Sequence, residues 1–114
     1  MLGAFYRIQF AKNEDLKFTG TFTANGISGD PINLSTYTPY MSIVDTDGNE
    51  VLDCDTFITI GGDQNNVITV LIPSSEFSSI DAGTYYYDLL VTDGTLTQRL
   101  LYGEVIIYEG YTVI

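Results

Sequence analysis

The sequence predicts a single all-β sandwich of about seven to eight strands with one short helical turn, and three observations predict it. Apolar and polar residues alternate with period two along most of the 114 residues, as half-buried strands require. Eleven glycines fall mostly between the apolar runs, several beside Asp, Asn or Ser, and set turns at the spacing of a sandwich. The one stretch that leaves this alternation, between Pro73 and Gly83, has room for a single helical turn. A chain of this length makes one domain, residues 1–114. It buries roughly two-thirds of the surface its unfolded form exposes, which is enough for one core.

The first run, AFYRIQF, alternates weakly and reads as a first strand at a sheet edge. A polar turn, Lys12 to Asp15, leads into LKFTGTFTA. That strand sets Leu16, Phe18, Gly20, Phe22 and Ala24 on one face and Lys17 with three threonines on the other. Gly20 inside it predicts a bulge or a close approach by another segment. The long loop NGISGDPINLSTYTP follows. Tyr40–Val44 and Val51–Cys54 then pair as a hairpin around DTDGNE. TFITI and NVITVLI are two more strands, joined through GGDQNN. In PSSEFSSIDAG, Pro73 opens the helical turn and Ser74 or Ser75 caps it. Phe77 and Ile80, three apart, lay its apolar side on the end of the sandwich. TYYYDLLV and LTQRLLYGEVIIYEG form a final long hairpin around TDGT.

Charge excludes several functions. Fifteen acidic residues face four basic ones, Arg7, Lys12, Lys17 and Arg99, for a net charge of -11. Those four are scattered, so the chain offers no basic track for nucleic acid and repels an anionic membrane. The surplus serves solubility or complements a basic partner. No apolar run approaches the roughly 20 residues a bilayer span needs. The opening MLGAFYRIQF is interrupted by Arg7 and Gln9 and is expected not to be a signal peptide. A single cysteine, Cys54, allows no disulfide within the chain and reads as a small buried hydrophobe.

DAGTYYYDLLV is the most informative stretch. Tyr85, Tyr87, Leu89 and Val91 share a face that must point inward, and Thr84, Tyr86, Asp88, Leu90 and Thr92 share the other. The turn and first tyrosine resemble the tyrosine corner of immunoglobulin-like sandwiches, in which a tyrosine near the start of one strand bonds back to the preceding turn. The resemblance makes Asp81, Gly83, Tyr85 and Tyr87 the structural corner. Tyr85 takes the corner place, and Tyr87 the place where such domains keep a disulfide cysteine. The whole chain also resembles a class of small phage virion proteins. LKFTGTFTA, DPINLSTYT and AGTYYYDLLVTDGTLTQRLLYGEVII are the counterparts of their segments. The shared positions are Pro31, Leu34, Tyr37, Gly83, Tyr85, Tyr87, Asp88, Asp93, Gly94, Leu100, Gly103 and Val105. Such segments are similar to the immunoglobulin-like N-terminal domain of phage baseplate upper proteins and to related tail- and head-associated proteins. This resemblance implies a structural protein of the virion, assembled in the host cytoplasm. Nothing follows the domain that reads as a fibre or receptor-binding region, so a standalone subunit that decorates or joins capsid or tail components is expected.

No residue pattern points to catalysis. Histidine is absent, so a general base would have to be a carboxylate with a raised pKa. Asp53 and Asp55 are the nearest pair and read as two solvated charges on one strand face. Asp45, Asp47, Asn49 and Glu50 offer oxygen around Gly48, but the calcium-loop pattern is not met and Asp-Gly is hairpin chemistry. Neither a metal nor a cofactor is expected. Nine tyrosines and six phenylalanines point instead to an interface. Tyr6, Tyr37, Tyr40, Tyr86, Tyr102, Tyr108 and Tyr111 are the outward candidates. The last segment stays apolar through Ile114 and reads as a strand able to join a neighbour's sheet or groove. The expected interface is therefore Tyr86, Leu90, Tyr102, Tyr108, Tyr111, Val113 and Ile114, buried against other virion proteins and copies of the chain. The alternative is a glycan-binding or host-adhesion module using Tyr37 with Asn33, or the GGDQNN loop.

Overall fold

The computed structural model describes residues 4–23 and 32–113. Ala24, Pro31, Ile114 and the first part of the long loop, to which the sequence assigns places, lie outside the described residues. Within them the chain forms nine strands: β1 (Ala4–Phe5), β2 (Ile8–Ala11), β3 (Leu16–Thr21), β4 (Thr38–Val44), β5 (Glu50–Asp53), β6 (Ile58–Gly61), β7 (Val67–Ile72), β8 (Gly83–Thr92) and β9 (Thr97–Tyr108). One sheet runs β9-β8-β4-β5, with β1 and β2 both along the free side of β9. The other runs β3-β7-β6. The two sheets enclose one core and make the immunoglobulin-like sandwich the sequence predicts. β1 and β2 are two pieces of the expected first strand, and counting them as one gives eight.

Alternation decides what each strand buries. Met41 and Ile43 on β4, Leu89 and Val91 on β8, and Val105 and Ile107 on β9 meet Leu16 on β3 and Ile68, Val70 and Ile72 on β7 in the core. The 3₁₀ turn Ser74–Phe77 drops Phe77 onto the end of that core, where its ring stands edge-on to Phe10 at 4.6 Å. A second 3₁₀ turn, Asp55–Phe57, replaces the expected start of the TFITI strand. Its Asp55 carboxylate accepts the Met41 amide at 2.8 Å, while the Cys54 amide donates to the Met41 carbonyl at 2.9 Å. Those two bonds pin the turn to β4 and delay β6 to Ile58.

Two local expectations need correction, and one feature was not anticipated. Gly20 makes no bulge: β3 pairs with β7 in unbroken register from Leu16↔Ile72 to Thr21↔Val67. The close approach there comes from Phe22, two residues on, whose ring lies 3.0 Å from where a Gly20 Cβ would stand. The last strand does not run to the end of the apolar segment. β9 stops at Tyr108, opposite Ala11, where its partner β2 also stops. Beyond it Gly110 packs on Asn13, and the Asn13 side-chain amide donates to the Thr112 carbonyl at 3.0 Å. The tail is thus tied to the β2–β3 turn and not to a strand. Finally, a bulge in β9 between its pairings Leu89↔Leu101 and Leu90↔Arg99 leaves Leu100 as an extra residue, so Leu100 and Leu101 are both buried.

Two tyrosine hydroxyls of β8 bond to backbone carbonyls. The Tyr85 hydroxyl donates to the Asp81 carbonyl at 2.6 Å. The Tyr87 hydroxyl donates across the sheet to the Tyr6 carbonyl at 2.7 Å. Tyr6 sits in the break between β1 and β2, and its carbonyl is 2.5 Å from where a Gly103 Cβ would stand. Gly103 pairs with Tyr87. The N-terminal segment therefore closes onto β9 only because position 103 has no side chain. Gly103→Ala should cost about 1–3 kcal/mol through that collision, and Tyr87→Phe about 1 kcal/mol for the lost bond. Urea unfolding should show lower midpoints with unchanged slope. A Gly103→Ala midpoint equal to the parent would mean the segment does not pack there.

Candidate functional site: an aromatic cleft on the large sheet

Burying Tyr87, Leu89 and Val91 turns Tyr86, Asp88 and Leu90 outward, because successive strand residues point to opposite faces. The neighbouring strands add to the same outer face by register. Ser42, Asp88 and Tyr102 form one cross-strand row, and Phe5 on β1 extends it. Val44, Tyr86 and Glu104 form a second row, and Tyr40, Leu90 and Arg99 a third. A cleft of about 570 Å³ opens over the first two rows and reaches Arg99 of the third. Phe5, Tyr40 and Tyr86 are 56%, 45% and 43% exposed, high for aromatic side chains and concentrated on one sheet face.

The bulge at Leu100 is what assembles the cleft's charged corner. Arg99 and Tyr102 are three apart, which in a regular strand puts them on opposite faces. The extra residue restores them to the same face, and the Arg99 guanidinium lies 4.2 Å from the Tyr102 ring centroid. Phe5 meets that same ring edge-on at 5.8 Å. Arg7 pairs with Glu104 at 3.0 Å, and the Ser42 hydroxyl donates to Glu50 at 2.5 Å.

The predicted interface residues divide into three groups. Tyr86, Leu90 and Tyr102 share the outer face of the large sheet. Tyr108 is at the far end of β9, half exposed, with its hydroxyl on the Gln9 side-chain oxygen at 3.0 Å. Tyr111 and Val113 are 90% and 93% exposed in the tail beyond the strand. Ile114 lies outside the described residues. Of the remaining tyrosines read as outward, Tyr37 instead packs partly buried against the core. Sequence reasoning missed Phe5, Ser42, Val44, Asp88, Arg99 and Glu104 as members of the site. Alternation along β4 signals Ser42 and Val44, since Met41 and Ile43 are inward. Arg99 has its signal in the doubled Leu100–Leu101.

The candidate chemical groups are committed to structure. Asp45 accepts the amides of Asp47 and Asn49 through one carboxylate oxygen, both at 2.9 Å, and so builds the β4–β5 turn. Asp93 does the same between β8 and β9, accepting from Thr95 at 2.9 Å and Leu96 at 2.7 Å. The Leu96 and Thr95 amides hold its carboxyl below the ordinary value. Asp53 and Asp55 do not share a strand face: β5 ends at Asp53, and Asp53 accepts the Asp55 amide at 3.0 Å. Burial raises the Asp55 carboxyl, the Met41 amide opposes that rise, and the charges of Asp53 and Glu50 add to it. Cys54 is buried. Burial first, then the Asp53, Asp55 and Glu50 charges, pushes its thiol up from 9.0 to about 12. In the loops, the Asn33 side-chain oxygen accepts the Ser35 amide at 2.9 Å, and the Asn66 amide donates to the Phe22 carbonyl at 3.1 Å.

No protein-family model matches the chain, and no curated protein matches it. Solved structures do. The N-terminal domain of phage TP901-1 ORF48 superposes with a TM-score of 0.51 at 10% identity, over 96% of this chain and 100% of that one. The periplasmic chaperone SfaE superposes at 0.47 and 13% identity, over 100% of this chain and 58% of that one. The N-terminal Ig1-2 module of the Drosophila receptor protein tyrosine phosphatase DLAR superposes at 0.41 and 14% identity, over 96% and 46%. At these identities the likeness is one of fold, and the fold is one that a phage domain shares.

The raised thiol and phenols set a pH dependence. Burial raises Tyr87, with Tyr6 adding to it, and burial raises Tyr85, with Asp81 and Asp45 adding. The folded protein holds these protons to higher pH than the unfolded chain does, so the unfolded chain releases them first and stability falls with rising pH. For Cys54 the loss begins near 9.0 and runs to about 12. The urea midpoint should decline across that window, and less steeply in Cys54→Ala. A midpoint unchanged from about pH 8 to about pH 11 would contradict the buried thiol.

Proposed function

We propose that this chain is a structural component of a phage particle that works by assembly and not by turnover. The observation that carries the reading is the end-to-end likeness of the chain to the N-terminal domain of phage TP901-1 ORF48. The sequence resemblance to small virion proteins supports it independently. The outer face of the large sheet supplies the surface. It gathers Phe5, Tyr40, Tyr86 and Tyr102 with Leu90, a largely aromatic set of the kind that anchors protein interfaces. The exposed Tyr111 and Val113 give a second, smaller contact in the tail. Partners are other capsid or tail proteins together with copies of the chain. Repeated on a symmetric particle, contacts of modest strength sum by avidity.

Assembly without catalysis is supported by the absence of histidine and by the use of Asp45, Asp55 and Asp93 as backbone acceptors. No helix among the described residues is long and apolar enough to cross a membrane. With net charge -11 the chain is a poor ligand for nucleic acid. The loop-based glycan reading finds less support, since Tyr37 packs on the core and the Asn33 and Asn66 side chains bond to backbone.

The test is the composition of purified particles of the virus whose genome encodes this chain. Quantitative mass spectrometry should find it at a fixed number of copies per particle. A Tyr86→Ser, Leu90→Ser variant that folds should be incorporated at about a tenth of that level or less, as hot-spot loss of at least 1.4 kcal/mol implies. Its absence from purified particles would overturn the reading. Full incorporation of the variant would remove this face from the interface.

A further inference from the structure

Asp88 stands in the middle row of the cleft, between Ser42 on β4 and Tyr102 on β9. It is half-buried and lines the cleft beside Tyr86 and Tyr102. The other acids of this face are engaged. Glu104 pairs with Arg7 at 3.0 Å, and Glu50 accepts from Ser42 at 2.5 Å. The Asp88 carboxylate has neither a hydrogen bond nor an ion pair among the described residues. A carboxylate left without a partner beside aromatic rings is free to accept a charge-assisted hydrogen bond from a cation.

Among the described residues, no basic side chain pairs with it. Of the chain's four basic residues, Arg7 is held by Glu104 and Arg99 lies on Tyr102 without reaching Asp88. Lys12 follows β2 in the turn to β3, and Lys17 is on β3 in the other sheet. A second copy adds no free arginine, since its Arg7 and Arg99 are engaged in the same way. The cation must come from a different, basic partner.

We propose that the cleft is a socket for an arginine side chain presented by a partner protein. The guanidinium would pair with Asp88 and lie against the ring of Tyr86. Arginine fits better than lysine because its planar fork bonds a carboxylate through two nitrogens and stacks on an aromatic ring, as Arg99 does on Tyr102. The acidic surplus of the whole chain would attract such a partner. This inference deepens the assembly reading and rests on it for the identity of the partner as a virion protein.

The experiment is an amide-proton NMR titration of the folded chain with the blocked tripeptide acetyl-Gly-Arg-Gly-amide. The comparators are the same peptide with citrulline, which keeps the shape and lacks the charge, and a neutral disaccharide. The arginine peptide should give saturable shifts at Tyr86, Asp88 and Tyr102. Citrulline should bind about tenfold more weakly or worse, as loss of a charge-assisted pair implies. Asp88→Asn, an outward substitution that leaves the core intact, should abolish the arginine response. The proposal is overturned if the arginine shifts spread evenly over the acidic surface or persist in Asp88→Asn. It is equally overturned if citrulline or the disaccharide shifts the same residues as strongly. The titration uses the chain alone, so its failure leaves incorporation into particles untouched, and absence from particles would not alter the titration.

Discussion

Tyr87 is the residue on which the rest of the arrangement turns. Its ring is buried, its hydroxyl holds the Tyr6 carbonyl, and its backbone faces Gly103. A buried phenol must find an acceptor, and the break between β1 and β2 supplies one. The interruption of the first strand is therefore a requirement of Tyr87 and not a flaw in the edge. Gly103 completes the device by leaving room for the Tyr6 backbone. Because Tyr87 points in, Tyr86 and Asp88 must point out. The same alternation that closes the sandwich thus fixes which side chains line the cleft.

Much of the fold was legible because it is locally encoded. The strand Leu16–Thr21, the hairpin around Asp45–Gly48, the turn Ser74–Phe77 and the long final hairpin are each written in a few adjacent residues. The corner bond from Tyr85 was also readable, through the resemblance of the turn and its first tyrosine to a tyrosine corner. What could not be read depends on distant partners. The break at Tyr6 answers a hydroxyl 81 positions away. The end of β9 at Tyr108 follows from where β2 stops, although the apolar sequence continues.

The candidate site was half legible for the same reason. Tyr86 and Leu90 were identified from in-out alternation, and Tyr102 from the surplus of tyrosines. The cleft, however, draws Phe5 from β1 and Ser42 and Val44 from β4, strands that meet β8 and β9 only in the folded sheet. Alternation alone also misplaces Arg99 relative to Tyr102, because it carries the reading straight through the bulge at Leu100. The paired leucines Leu100 and Leu101 are the local trace of that bulge. Two adjacent apolar residues in an otherwise alternating strand require either one exposed leucine or one extra residue, and the structure takes the second course.

The two outer faces of the sandwich differ in chemistry. The outer side of the small sheet carries a row of threonines across its three strands, Thr19, Thr69 and Thr59. The Thr19 and Thr69 hydroxyls approach to 3.5 Å, and the Thr59 hydroxyl reaches the Thr69 carbonyl at 3.5 Å. Threonine keeps the β-branched shape a strand favours while offering water a hydroxyl. That surface is built to stay wet, with Leu71 its one large exposed apolar side chain among the described residues. The outer side of the large sheet has the same backbone geometry but carries Phe5, Tyr40, Tyr86 and Tyr102 around an unpaired carboxylate. Solubility alone gives no reason for a sandwich to treat its two faces so differently. A face set aside for a partner would account for the difference, and it is the aromatic face over β9, β8 and β4 that the assembly proposal uses.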